Sequence, residues 1–352
     1  MNEPFHFEQL QKKIKKQRYK RGVYFLLATI VVTTAVILAL PKFVSFFYYD
    51  PRQSSLQVNR DSYIMNRQIN NELTTQNHFL SNYDIRSLGF GKYEVSEVYQ
   101  NRDQNQSTVQ TVTIDKNHLL RNPLSSRQET DVLFELRMRN SSSKEFSENQ
   151  SAQQNLLANL KKLPKSTSLI TTLIFEKDVS LEELKEWQQY QMSDGEVLWT
   201  AVRTGVPTGD QDFQPIGFAN SFSSVIPEEK SVDESFLKDF PFLDPFEATD
   251  KQQRDYSETE QSAAHFESML NYLLTQKDFL ALEANDARDI LSEEQIEEAL
   301  AYIKKNGIRS YGVSAVMTVD ALIKLLEEGE NILTARVMET NVFPLMSQTV
   351  QK

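Results

Sequence analysis

No cysteine occurs among the 352 residues, which excludes disulfides, thiolate metal sites and thiol nucleophiles together. Histidine is almost as scarce. His6, His78, His118 and His265 stand far apart without ligand spacing, and they read as surface or cap residues. Only ten glycines are present, and there is no phosphate-cradling glycine loop, Gly-x-Ser-x-Gly elbow or His-Glu-x-x-His pair. Carboxylates are plentiful, but Glu182/Glu183, Glu293/Glu294 and Glu297/Glu298 fall on the polar sides of helical patterns. They read as solvated faces rather than the opposed acids of a glycosidase. The expectation is a non-enzymatic chain with no catalytic residue, no metal site and no cofactor.

Charge is unevenly placed. Residues 1–40 hold seven Lys/Arg against two Asp/Glu, while residues 41–352 hold 31 against 47. A tip of +5 thus precedes a body of −16 within the total of −11. Such a body repels phosphate backbones, so nucleic acid is not an expected partner. A body of this size without disulfides rests on its apolar core alone, which favours a bacterial over an animal exported protein.

From Val23 to Leu40 the chain reads VYFLLATIVVTTAVILAL, eighteen residues without a charge. As a helix this run is about 27 Å long, close to the ~30 Å hydrocarbon core of a bilayer. Pro41 is expected to end or kink it. Phe43, Phe46, Phe47, Tyr48 and Tyr49 then resemble an interfacial aromatic belt. Lys12, Lys13, Lys15, Lys16, Arg18, Lys20 and Arg21 precede the run, which predicts a cytoplasmic N-terminus and an extracytoplasmic C-terminus. A cleaved signal peptide would share the basic flank, but its apolar region is usually about 7–15 residues. Here Pro41 and bulky aromatics also stand where a small-x-small cleavage site would be. The bilayer is therefore an expected partner, and the location a single-pass position in the cell membrane.

The residues before the span include Phe7, Leu10 and Ile14, whose spacings of three and four place them on one helical face. Lys12, Lys13, Lys15 and Lys16 flank that face. Two readings stand: an amphipathic helix lying on anionic lipid, or a docking helix for a cytoplasmic partner.

Beyond the span, residues 50–82 are polar, with Ile64, Ile69, Leu73 and Leu80 spaced as on a stalk or leading helix. Strand-like runs follow at Lys92 to Tyr99 and Thr108 to Ile114, joined by the turn-rich NRDQNQS. Tyr93 and Val95 occupy inward positions of the first. Val109 and Val112 break alternation in the second, which suggests a bulge or burial on both faces. Val132 to Met138 (VLFELRM) alternates and reads as a third strand. Residues 141–155, Ser- and Gln-rich, read as a linker.

The distal part has another rhythm. Leu169 to Phe175 reads as a strand, and Ser180 with Glu183 forms a capping box on the helix LEELKEWQQY. Val197 to Val202 then reads as a strand, so this segment is β-α-β, an order that favours parallel pairing. The order recurs at Tyr311 to Val319, a helix ALIKLLEEGE capped by Asp320, and Ile332 to Met338. Two such units packed together predict a ferredoxin-like or related α+β sandwich. Between them lie an acidic loop over about 220–258, then helices around 259–284 and 293–306. Ser292/Gln295 starts the latter helix and Asn306-Gly307 ends it. Trp187 and Trp199 could line a pocket, but Trp199 lies inside a strand pattern, which favours the core.

The fold class expected is therefore α+β: a single N-terminal transmembrane helix, a small β-rich unit near the membrane, and a distal sandwich of two β-α-β units. The division runs 1–22 basic cytoplasmic segment, 23–40 span, 41–140 stalk and β-rich unit, 141–155 linker, and 156–345 distal domain.

Three distal stretches, STSLITTLIFEKDVSLEELKEWQQY, GEVLWTAVRTG (195–205) and QPIGFA (214–219), precede a closing Tyr311-Gly312-Val313. Together they resemble the C-terminal domain of membrane-bound sigma-factor regulators of Gram-positive bacteria. The N-terminal FEQLQKKIKKQRYKRGVYFLLATIVVTTAVIL resembles the companion N-terminal domain of that family. The resemblance implies an anti-sigma-type role, in which the cytoplasmic end contacts a sigma factor through Phe7, Leu10, Ile14, Lys12, Lys13, Lys15 and Lys16. It carries no catalytic residue across, and its motif residues Trp199, Gly205, Gly217, Tyr311 and Gly312 read as structural. The alternatives are a surface structural or ligand-binding protein whose N-terminus only anchors it and, more remotely, an exterior carbohydrate-active enzyme. Nothing in the pattern specifies an oligomeric state.

Overall fold

Residues Phe7–Ser45 form one unbroken 39-residue helix, α1, so the basic stub and the apolar run share a single rod about 58 Å long. Pro41 does not end it. The helix continues four residues further to Ser45, although Pro41 has no N–H to offer the Ile37 carbonyl. Within α1, Lys12–Pro41 is long and apolar enough to cross a membrane, and none of its apolar window is covered by the rest of the protein. The computed structural model describes residues 7–52, 62–76, 78–101, 107–121, 132–139, 150–192, 194–205, 214–220, 234–244, 250–284 and 291–341. The NRDQNQS turn lies largely outside them, as does His6.

The helix expected around Ile64, Ile69 and Leu73 is α2, Ser62–Thr74. Leu80, grouped with it by spacing, belongs instead to a strand that the sequence pattern did not reveal. Strands β1 (His78–Gly89), β2 (Lys92–Asn101), β3 (Ser107–Asp115) and β4 (His118–Arg121) make an antiparallel meander in chain order. Alternation places Tyr93, Val95, Glu97 and Tyr99 of β2 on the buried face. The pairing of β2 with β3 is uninterrupted, so no bulge explains Val109 and Val112. They occupy opposite faces, Val112 buried and Val109 exposed.

Helix α2 is buried on nearly all sides, which a stalk would not be. Its apolar side chains Tyr63, Ile64, Met65, Ile69 and Leu73 join a core shared by both sheets. Most of its polar side chains are buried as well, and several find partners. Asn71 donates to the His78 carbonyl at 2.9 Å, and Asn66 donates to Gln276 at 3.2 Å. Arg67 donates to the Tyr99 hydroxyl at 3.1 Å and approaches Glu97 at 3.4 Å, and Glu97 also accepts from Tyr63 and Tyr99. Unpaired, each such group would cost several kcal/mol, on the order of the desolvation of a buried charge or amide.

Val132–Arg139 is a helix, α3, not the strand that its alternation suggested. Phe134, Arg137 and Met138, spaced three and four apart, are its buried positions, and helical spacing overrides period two here. Helix α4, Gln150–Leu160, follows.

The second sheet contains β5 (Ser168–Ser180), β6 (Gly195–Val202), β7 (Ile216–Ala219), β8 (Arg309–Thr318) and β9 (Ile332–Asn341), in the order β7-β6-β8-β5-β9. All its neighbours are antiparallel. The two β-α-β units are present, with α5 (Leu181–Gln191) joining β5 to β6 and α11 (Val319–Glu328) joining β8 to β9. The expected direct parallel pairing is not. Each unit opens to admit a strand of the other, so β5 and β6 run parallel with β8 between them. This is the interleaved order of a ferredoxin-like sandwich, with β7 added at one edge.

Helices α6 (Glu234–Asp239) and α7 (Asp250–Asp255) fall within the segment read as an acidic loop. They precede α8 (Glu258–Thr275), α9 (Lys277–Glu283) and α10 (Glu293–Asn306). The capping boxes at Ser180/Glu183 and Ser292/Gln295 are both formed. Asp320 is not the cap of α11: Thr318 is, accepting from the Ala321 N–H at 3.2 Å. Asp320 instead lies in the first turn, where its charge suits the helix dipole, and pairs with Lys165 at 2.6 Å.

Candidate functional site

Of the residues assigned to partner contact, Phe7, Leu10 and Ile14 lie in the first two turns of α1. Ile14 is exposed, as are Lys12, Lys13, Lys15 and Lys16. Among the described residues, nothing of the folded body covers this end.

The motif residues behave differently, since four of the five converge. Trp199 is wholly buried, with Phe134 of α3 edge-on at 5.4 Å, and Phe134 meets Tyr311 at 5.9 Å. Gly312 lies under that ring: a Cβ there would stand 3.0 Å from Phe134 and 2.6 Å from the Leu173 carbonyl. Gly217 faces the Trp199 ring and the Thr200 carbonyl so closely that a Cβ would overlap both. Gly205 lies just past β6 and outside the cluster. Bulges at the β6–β8 pairing turn Trp199 and Tyr311 onto the α3 side of the sheet, away from Val197 and Val313. Both tryptophans are packing residues, Trp187 meeting Phe175 edge-on at 5.1 Å. Gly217→Ala should therefore destabilise the fold by about 1–3 kcal/mol, the usual cost of overpacking. The urea midpoint would fall at constant slope.

Beside this cluster Asp178 binds two buried guanidiniums. Arg203 donates to it at 2.8 and 3.1 Å, and Arg137 at 3.3 Å. Arg137 also donates to the Phe175 and Glu176 carbonyls, and Arg203 lies over the Tyr311 ring at 4.7 Å. Burial pushes the Arg137 guanidinium down against the opposing charge of Asp178. Burial alone pushes the Tyr272 hydroxyl up.

The second polar seam is one that the sequence did not disclose. His265, read there as a surface or cap residue, is fully buried on α8. Its Nε2 lies 2.9 Å from Glu72 of α2 and its Nδ1 lies 2.6 Å from the Phe242 carbonyl. A carbonyl and a carboxylate oxygen thus face the two ring nitrogens, an arrangement that favours a proton on each and so the cationic imidazole. Burial opposes that charge, but the Glu72 charge and hydrogen bond, the Phe242 carbonyl and Asp244 together raise its pKa above the ordinary 6.5. Glu72 further accepts from the Ala219 N–H at 3.2 Å, and its own carbonyl accepts from the Trp199 indole at 2.8 Å.

These arrangements join elements of the fold to one another. The carboxylates are occupied by guanidinium, imidazolium or backbone N–H groups. Among the described residues no group of three or more His, Cys, Asp or Glu could hold a metal. Glu182, Glu293, Glu294, Glu297 and Glu298 are exposed on helix faces.

Residues 160–337, half of the chain, match the model of a family described as sigma factor regulator C-terminal. No curated protein and no solved structure matches the chain. The matched segment holds Trp199, Gly217, Tyr311, Gly312, Asp178, Arg203 and His265. Their partners Glu72, Phe134 and Arg137 come from α2 and α3, before it begins.

Proposed function

Because this chain belongs to the sigma factor regulator C-terminal family, we propose that it is a membrane-anchored, anti-sigma-like regulator. On this reading α1 crosses the bilayer with its basic end in the cytoplasm, and the two-sheet body stands outside. Phe7, Leu10 and Ile14, flanked by Lys12, Lys13, Lys15 and Lys16, form the contact for a sigma factor. The observation that carries the reading is the unbroken course of α1 from Phe7 to Ser45.

Seven cations precede the apolar run and few follow it, which favours retention of the N-terminus on the cytoplasmic side. Four residues beyond the other end of α1 the chain is fixed to the body. The Tyr49 N–H donates to Asn117 at 3.0 Å, and the Tyr49 ring meets Tyr63 of α2 at 6.4 Å. A change in the body is thus passed to a rod, not to a slack tether. The buried seams through Glu72 and Arg137 tie the family domain to α2 and α3 in the same way. Phe7, Leu10 and Ile14 belong to one helix, and on this reading they meet the factor as a single amphipathic face laid in a groove.

The test compares the full chain with a version lacking residues 2–11, both solubilised in mild detergent from the native host. The full chain should retain a sigma factor. The shortened chain should lose it, and transcription dependent on that factor should rise. Equal retention by both would leave the N-terminus an anchor only and reject the regulatory reading.

A further inference from the structure

Where β1 turns into β2, three successive residues have left-handed backbone: Gly89 (φ 85), Phe90 (φ 53) and Gly91 (φ 72). A two-residue hairpin turn of this hand favours Asn-Gly, whose first residue tolerates positive φ. A phenylalanine there is strained, and strain of this kind, about 1–3 kcal/mol, gathers where a residue serves something other than stability. Phe90 is not held there by packing. It is 50 % exposed, and its neighbour Leu88 is 44 % exposed.

The position of the turn says what it serves. A Cβ at Gly89 would touch Pro41 at 3.8 Å, so the tip lies level with the end of the apolar run of α1. Gly91 lies against the Tyr48 ring, 2.7 Å from a notional Cβ. The adjoining β3–β4 turn is held to the same place, since the Lys116 N–H donates to the Gly91 carbonyl at 2.7 Å. Phe43 in the last turn of α1 and Phe46 and Phe47 just beyond it stand exposed. From Ile85 to Lys92 the chain carries Arg86 and Lys92 and no carboxylate, with Asp115 of β3 pairing with Lys92 at 3.5 Å.

We propose that the Leu88–Gly91 hairpin tip enters the outer-leaflet interface beside α1, as a second membrane contact that fixes the tilt of the body on the bilayer. Leu88 and Phe90 would sit about 5–10 Å below the headgroups, as apolar side chains of interfacial segments do. Arg86, Lys92 and Lys116 would lie at headgroup level. Phe43, Phe46 and Phe47 would continue the same apolar surface from α1. This inference rests on the reading of α1 as a membrane span.

The chain has no cysteine, so one introduced thiol carries one fluorophore. Leu88→Cys, Val32→Cys and Val109→Cys full chains would each be labelled with an NBD dye. They would be reconstituted into vesicles of phosphatidylcholine and phosphatidylglycerol containing a nitroxide lipid, shallow for positions 88 and 109 and at mid-bilayer depth for position 32. Val109 is exposed on β3 and pairs with Val98, far from the Lys92–Asp115 end of the hairpin. The expected result is clear quenching at position 88, as for a side chain at interfacial depth, with position 109 unquenched. Adding Phe90→Asp should return position 88 to the level of position 109. A probe at 88 that stays in water while that at 32 is quenched overturns the hairpin contact and leaves the span intact. An unquenched probe at 32 overturns both. A probe at 88 that shifts to the blue without nitroxide quenching overturns lipid in favour of a protein neighbour. Phe90→Cys, labelled alone, gives a second measurement that does not depend on position 88.

Discussion

Replacing Phe7, Leu10 and Ile14 together by alanine is expected to weaken sigma-factor binding by about a hundredfold or more. Truncating a buried apolar anchor of a helix in a groove costs about 2 kcal/mol, and three anchors, even with strong non-additivity, cost about 3 kcal/mol. The lysines should behave otherwise. Substituting Lys12, Lys13, Lys15 and Lys16 by glutamine should slow association in a salt-dependent manner, because rim charges act mainly on encounter. Titration of full-length protein in nanodiscs with the purified factor separates the two. Unchanged affinity in the alanine variant would place the contact elsewhere.

Glu72→Ala is expected to be the most destabilising single substitution in the folded body, at about 3–5 kcal/mol. It leaves the His265 cation buried without its counter-charge and strands the Ala219 N–H. For a body of this size the melting midpoint would fall by roughly 10 °C. The pair also sets a pH dependence of known sign. His265 has a folded pKa raised above its ordinary 6.5. Its contribution to stability is therefore complete below that value and is lost as pH rises through the folded pKa. Denaturation at a series of pH values should show this decline in the native chain. In Glu72→Gln, which keeps hydrogen bonding but removes the charge, the decline should begin at lower pH. A decline absent from the native chain would mean that His265 is neutral when folded.

These two groups show why part of the molecule was legible in its sequence and part was not. Local signals were sufficient for the uncharged run of α1, for the capping boxes at Ser180 and Ser292, and for the two β-α-β units. Each is specified by residues within about one element of one another. Pairing was less accessible. The pattern gave two crossover units but could not show that β8 inserts between β5 and β6, because that depends on contacts over more than a hundred residues. The α3 segment failed for another reason: VLFELRM fits both periods, and only docking of Phe134 against Trp199 and Tyr311 selects the helix. Helix α2 looked like a stalk because Asn66, Arg67, Asn71 and Glu72 are polar. Their partners Gln276, Glu97, His78 and His265 come mostly from other elements, His265 being 193 residues from Glu72. A buried polar side chain is indistinguishable from a solvated one until its partner is known. The strained turn at Phe90 was not legible, because β1 before it was not, and its meaning came from the neighbouring Pro41.

The membrane span is the premise on which the regulatory reading and the hairpin contact both depend, and the absence of cysteine permits a direct measurement. Gln17→Cys and Val109→Cys would be expressed separately as full chains and treated with a membrane-impermeant maleimide on intact cells freed of any outer barrier. The account predicts that Val109→Cys is labelled at once and Gln17→Cys only after the membrane is opened. Labelling of both thiols in intact cells, or protection of both, would contradict it.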